Sequence, residues 1–136
     1  MIAEAAVLCM ALNAYHEARG QGIRGMLDVS QVVVNRTEAQ DRRWPSETCR
    51  VVTQGGSHRR GRCQFSWYCD GRGDLPRDAV AWEQAVTVAR AVLVGGARVH
   101  DLTEATCYHS TKIARPAWAR GLRPVARRAG HVYYRC

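Results

Sequence analysis

Long apolar runs are missing from this chain. No uninterrupted stretch approaches the ~20 residues a membrane-spanning helix needs, which excludes a helical transmembrane protein. Lysine is almost missing as well. Lys112 is the only one, so nearly all of the positive charge is guanidinium. There is no internal repeat, low-complexity stretch or linker-like composition, which excludes repeat arrays and long disorder. The opening decapeptide, Met1–Met10, has no basic head and is interrupted by Glu4, so it does not read as a secretion signal. No phosphate-cradling glycine loop, G-x-S-x-G elbow or H-E-x-x-H helix occurs. Zinc-finger spacing, an aromatic RNA-binding motif and a continuous basic helix are also absent.

What is present fits one globular domain spanning residues 1–136, with 46% hydrophobic and 24% charged residues. Twenty basic against 12 acidic residues leave a net charge of +8. The arginines fall in short clusters: Arg42-Arg43, Arg59-Arg60-x-Arg62 and Arg127-Arg128. This charge suits nucleic acid, an anionic membrane surface or an acidic wall polymer, and it describes attraction rather than reaction. Six cysteines, Cys9, Cys49, Cys63, Cys69, Cys107 and Cys136, point to disulfides and an oxidising destination. We expect at least two bridges, involving Cys49, Cys63 and Cys69; on the competing reading several cysteines are buried free thiols, with Cys9 the best candidate. Cys63 and Cys69 are six apart and His109 lies two past Cys107, neither of which is a C-x-x-C knuckle. No metal or cofactor is therefore expected.

Periodicity predicts a helix over about Ile2–Ala18, with Ala5, Cys9, Leu12 and His16 on its buried stripe and Gly20 ending it. A second helix runs from Ile23 or Gly25 to Glu38, burying Met26, Val29, Val33 and Thr37. Ser46 is the N-cap of a short helix to Thr53. The 54–62 segment is a glycine- and arginine-rich loop, and Cys63–Cys69 reads as a strand closed by Asp70-Gly71. Arg77–Val94 is the clearest helix, with Val80, Gln84, Thr87, Ala91 and Val94 along one side, Ala81, Ala85, Val88 and Val92 adjoining, and Gly95-Gly96 stopping it. Ala105–Ser110 is a strand, Pro116–Leu122 a short turn, and Val125–Ala126 pairs with His131–Arg135 across Arg128–Gly130. The sum is α+β: helices around a small antiparallel sheet, with sheet segments lining a groove.

Three clusters can carry chemistry. Glu17 ends an apolar helix, where the helix dipole disfavours negative charge, and burial against Tyr15 or Trp67 would raise its pKa further. A carboxyl kept protonated can donate to a glycosidic oxygen; the plainer reading is a surface glutamate paired with Arg19 or Arg24. In Cys63–Asp70, alternation puts Gln64, Ser66 and Tyr68 on one face and Phe65 and Trp67 on the other. An apolar platform beside amide and hydroxyl groups suits sugar rings, and a core strand is the competing reading. Tyr108-His109-Ser110 offers an acid/base, a substrate donor or a structural histidine, and Trp118 reads as core.

The segments Ala11–Gly20 (A-L-N-x-Y-x-E-A-R-G), Gln31–Arg36 (Q-V-V-x-N-R), Cys63–Gly71 (C-Q-F-S-W-x-C-D-G), Tyr108–His109 and Pro116–Ala119 (P-x-W-A) resemble the cell-wall hydrolase family typified by the spore cortex-lytic enzymes. The resemblance implies a lysozyme-like or lytic-transglycosylase-like fold. It also implies cleavage of the β-1,4 bond between N-acetylmuramic acid and N-acetylglucosamine in peptidoglycan. Glu17 is then the catalytic acid, and Tyr15, Gln64, Phe65, Ser66, Trp67, Tyr108 and His109 are the substrate contacts. Asp70, or less well Asp28, is the available second carboxylate. Neither convinces as a nucleophile, so the transglycosylase route giving 1,6-anhydromuramoyl ends is expected, with muramidase-type hydrolysis as the alternative.

Cys107, and an arginine-rich Ser57–Arg62 loop that looks particular to this chain, depart from the family pattern. Size and the missing signal make the chain resemble a stand-alone bacteriophage endolysin, released from the host cytoplasm by a phage lysis system and acting in the periplasm or wall. The expected partner of this monomer is the glycan strand, with electrostatic attraction to an anionic envelope and no nucleic acid. A zinc amidase using His109 and cysteines, and a basic binding module without turnover, are the competing classes.

Overall fold

A computed structural model describes residues 3–56 and 63–136. The expected Ser57–Arg62 loop, with its Arg59, Arg60 and Arg62 cluster, lies outside the described residues.

Among the described residues four α-helices form: α1 (Glu4–Ala18), α2 (Gly22–Glu38), α3 (Thr48–Val52) and α4 (Ala79–Leu93). Three strands follow: β1 (Cys107–Ser110), β2 (Pro124–Arg128) and β3 (His131–Tyr134). The architecture is α+β, as expected. Helices α1, α2 and α4 pack on one another around Met10, Ala14, Val29, Val33, Ala85 and Val88, and α3 closes the side. The face of α1 differs from the expected one. Val7, Met10, Ala11, Ala14, Tyr15 and Ala18 are buried, whereas Ala5 is exposed and Cys9, Leu12 and His16 sit on the flank. In α4 the buried stripe is Ala81, Ala85, Val88, Ala89 and Val92, with Val80 and Val94 turned to solvent. Both helices carry apolar residues on adjacent stripes, and packing against neighbours selects one of them.

Helix boundaries have local causes. Asp78 caps α4, its carboxylate accepting from the Ala81 N–H at 3.1 Å. Gly96, at φ 74°, ends it, with the Ala97 N–H donating back to the Ala91 carbonyl. Between α1 and α2 the left-handed residue is Gly22, at φ 70°, not Gly20, which lies in a 3-10 turn over Arg19–Gln21. Glu47, not Ser46, precedes α3, and no side chain caps it.

The sheet has order β1-β3-β2, all antiparallel. The β2–β3 hairpin turns at Ala129 and Gly130, both at positive φ, as the Arg128–Gly130 turn demands. The sheet joins the helices through Val32, Leu102, Ala105 and Tyr133. The polar members of the Gln31–Arg36 segment fasten this junction. Gln31 Oε1 accepts from the Val99 N–H at 2.7 Å, the Asn35 amide donates to the carbonyls of Leu102 and Ala105, and Arg36 Nε donates to that of Thr106. Satisfied in this way, these groups tolerate burial and fix the approach to β1.

Three disulfides form: Cys9–Cys49, Cys63–Cys69 and Cys107–Cys136. Cys49, Cys63 and Cys69 are bridged, as expected. Cys9 is not a free thiol, because it lies on the flank of α1 facing α3 rather than in the core. The Cys63–Cys69 segment is not a strand. Ser66–Cys69 is a 3-10 turn, yet its sidedness survives, with Phe65 and Trp67 inward and Gln64, Ser66 and Tyr68 outward.

Candidate active site

Glu17 occupies the last turn of α1, one residue before the helix ends. Tyr108, on β1, reaches it across the helix–sheet junction and donates its hydroxyl proton to Glu17 Oε1. Neither Arg19 nor Arg24 pairs with it: Arg19 donates to the Tyr15 hydroxyl at 2.9 Å, and Arg24 lies 3.8 Å from Asp28. Burial pushes the Glu17 carboxyl above the ordinary glutamate range. The Tyr108 hydroxyl and the nearby Arg36 guanidinium act in the opposite direction, and desolvation prevails. Burial and the adjacent Glu17 also hold the Tyr108 phenol well above its usual value, so it stays a donor.

Two cavities meet at Glu17. One, of about 460 Å³, is lined by Glu17, Gln64, Ser66, Tyr108, His109 and Trp118, among others. The other, of about 540 Å³, extends along the opposite side past Ser66, Asp70, Arg72 and Arg77. A third, of about 900 Å³, shares Gln64, Tyr108 and Trp118 with the first and continues to Arg36, Arg43 and Trp44. Each falls within the ~300–1,000 Å³ typical of ligand sites. Joined through shared walls, they form a groove with Glu17 inside its length, a shape suited to a polymer.

Gln64, Ser66, Tyr108 and His109 all line the groove at the Glu17 cavity. Of the other three expected contacts, Tyr15 and Trp67 line the 540 Å³ cavity with little exposed surface, and Phe65 lies beneath the groove wall. Phe65 is 2% exposed and packs under Arg36, whose guanidinium lies 5.2 Å from its ring centroid. Trp67 is 7% exposed, donates its indole N–H to Asn13 and stacks on His16, so it backs the wall. Tyr15 is 1% exposed, and its hydroxyl accepts from the N–H groups of Arg77 and Asp78, anchoring the start of α4. In the Cys63–Cys69 turn the large apolar rings point into the core and the polar side chains face solvent.

His109 has both ring nitrogens engaged, Nδ1–H donating to the Ser110 carbonyl and Nε2 accepting from the Tyr134 hydroxyl, each at 2.9 Å. It therefore makes no hydrogen bond to Glu17. Asp70 accepts from the Arg72 N–H, closing the turn at Gly71. Asp28 is fully buried and paired with Arg128 at 3.2 Å. All six cysteines are bridged, which removes the thiolates a zinc site would have drawn on. Sequence reasoning missed Trp118, read as core but 47% exposed on the groove wall. Its place in a 3-10 turn, Ala117–Ala119, gives no periodic signal of which way it points.

The model of the Cell Wall Hydrolase family matches residues 20–134, a span that begins just after Glu17. No curated protein and no solved structure matches the chain.

Proposed function

The chain belongs to the cell wall hydrolase family, whose substrate is peptidoglycan, and from that premise we propose that it cleaves the β-1,4 bond between N-acetylmuramic acid and N-acetylglucosamine with Glu17 as general acid. The observation that carries this reading is the half-buried carboxyl of Glu17, held above the ordinary range midway along a polymer-sized groove. A protonated carboxyl there can give its proton to the leaving-group oxygen as the C1–O bond breaks through an oxocarbenium-like transition state.

Lytic transglycosylation is the favoured route. Asp28 is committed to Arg128, and Asp70 to its turn. With Asp28 tied up and Asp70 holding its turn through one oxygen, the muramoyl C6 hydroxyl attacks C1 and the Glu17 carboxylate takes the hydroxyl proton. The new C6–O–C1 bond closes a 1,6-anhydro ring and regenerates the acid. One observation favours the alternative, hydrolysis by a water activated at Asp70: Asp70 lines the same 540 Å³ cavity as Glu17. The reaction takes place in the wall, outside the cytoplasm. Three disulfides suit that environment, and the +8 charge favours approach to carboxylate-bearing stems, an attraction that salt weakens.

Digestion of purified peptidoglycan, with mass analysis of the fragments, tests the bond and the route together. The expected products are muropeptides ending in 1,6-anhydromuramic acid. Reducing muramic acid ends would replace the route with hydrolysis, and free stem peptides with intact strands would overturn the choice of bond.

Tyr108→Phe probes the Glu17 environment. The lost hydroxyl had lowered the Glu17 pKa, so the alkaline limb of the pH–rate profile is expected to move to higher pH. A limb that moves to lower pH would contradict the assigned role of that hydrogen bond.

A further inference from the structure

Trp118 is a large apolar side chain left 47% exposed on the wall that the Glu17 cavity shares with the 900 Å³ lobe. Its surroundings are built to hold it there. The indole stands nearly perpendicular to the rings of His109 and Tyr134, at 72° and 83°, with centroids 6.0 and 5.5 Å away. His109 is itself stacked on Tyr134 and hydrogen-bonded at both nitrogens. Below, Arg115 Nε and Nη2 both donate to the Ala119 carbonyl, and Nη2 also donates to that of Leu122, bracing the 3-10 turn that carries Trp118. The Cys107–Cys136 bridge ties the same corner of the sheet.

Among the described residues, no ring packs parallel to this indole and no guanidinium covers it. Trp44, in the same lobe, differs: the guanidinium carbons of Arg43 and Arg36 lie 4.3 and 5.6 Å from its ring centroid. A braced, uncovered aromatic face beside hydrogen-bonding side chains suits an amphipathic ring with an apolar face and a polar rim. Gln64 and Tyr108 line the same two cavities and supply the polar partners.

We propose that Trp118 is a sugar-stacking platform, seating one pyranose ring of the strand where the Glu17 cavity opens into the arginine-lined lobe. The proposal rests on the reading that the ligand is a peptidoglycan glycan strand. It gives His109 a part as a positioning residue, holding the indole upright through Tyr134 rather than moving a proton. It also places a binding contact beyond the reacting bond, so that the enzyme engages a strand that continues into this lobe.

The test is binding to Glu17→Gln protein, using glycan strands freed of stem peptides by an amidase as the probe. Calorimetry on E17Q, E17Q/W118A and E17Q/W118F is expected to show affinity falling about tenfold or more with alanine, in line with buried tryptophan anchors, and largely restored by phenylalanine. A dissociation constant within about twofold of that of E17Q in the alanine variant would overturn the platform. A second readout does not depend on how the alanine variant folds. The Trp118 indole N–H resonance, assigned by its loss in W118F, is expected to shift when strands are added, and an unmoved resonance would overturn the proposal. Because both readouts measure binding, a wild-type protein that released no glycan fragments would overturn the proposed reaction and leave these results to decide the platform.

Discussion

Replacing Glu17 with glutamine is expected to reduce glycan cleavage by at least ~10³-fold, within the span that general acid catalysis contributes, while leaving the fold intact. The amide matches the carboxyl in size and keeps an oxygen to accept from Tyr108, but it has no proton to give to a leaving oxygen. The sign of the stability change follows from the raised carboxyl. A group whose pKa is higher folded than unfolded favours the folded state below its unfolded pKa, and that advantage is lost as pH rises through the folded value. Above its folded value the wild type therefore bears the cost of a desolvated charge. Glu17→Gln should melt no lower there and should lose this relative advantage in acid. Retained lysis in a folded Glu17→Gln protein would remove Glu17 from the reaction. A drop in melting temperature above that folded value would contradict the account of its burial.

The largest expected effect on stability comes from Arg128. Asp28 on α2 is fully buried, and Arg128 on β2 pairs with it while also gripping Asp101 at 2.5 Å. Arg128→Met would leave a buried carboxylate without its main partner. Losses of about 3–5 kcal/mol are typical of a broken buried pair. The exposed Arg24, 3.8 Å from Asp28, places the expectation at the lower end. Urea unfolding measures it as a lower midpoint at unchanged slope. Replacing both partners, as Asp28→Asn with Arg128→Met, should recover much of the loss. A single variant within about 1 kcal/mol of wild type would mean the pair carries no such weight, and with it would go the reason for discounting Asp28 as a catalytic carboxylate.

The elements were legible where a chemical signal marks them. Gly95-Gly96 stops α4, Ala129-Gly130 turns the hairpin, and apolar spacing locates three of the helices. The faces were less legible. In α1 and α4 small apolar residues occupy neighbouring stripes, so spacing alone does not choose between Cys9 and Met10, or between Val80 and Ala81. The site shows the same division. Glu17 was visible from its place at a helix end and from the family blocks. Its partner Tyr108 lies 91 positions away in sequence, and only the sheet register brings it there. Arg36 and Asn35 gave no sign that their side chains fasten the approach to β1, because such bonds to main-chain carbonyls depend on the tertiary path. Trp118 escaped because a tryptophan is ordinarily assigned to the core, and a groove wall is the place where that assignment fails.

The central claim is that burial keeps the Glu17 carboxyl protonated far enough up the pH scale to act as an acid. Titration of ¹³C-labelled glutamate side chains, with Glu17 assigned by its absence in Glu17→Gln, reads this directly. The predicted midpoint lies above the ~4.3 of a free glutamate and moves higher still in Tyr108→Phe. A Glu17 midpoint at or below the free value would contradict the account.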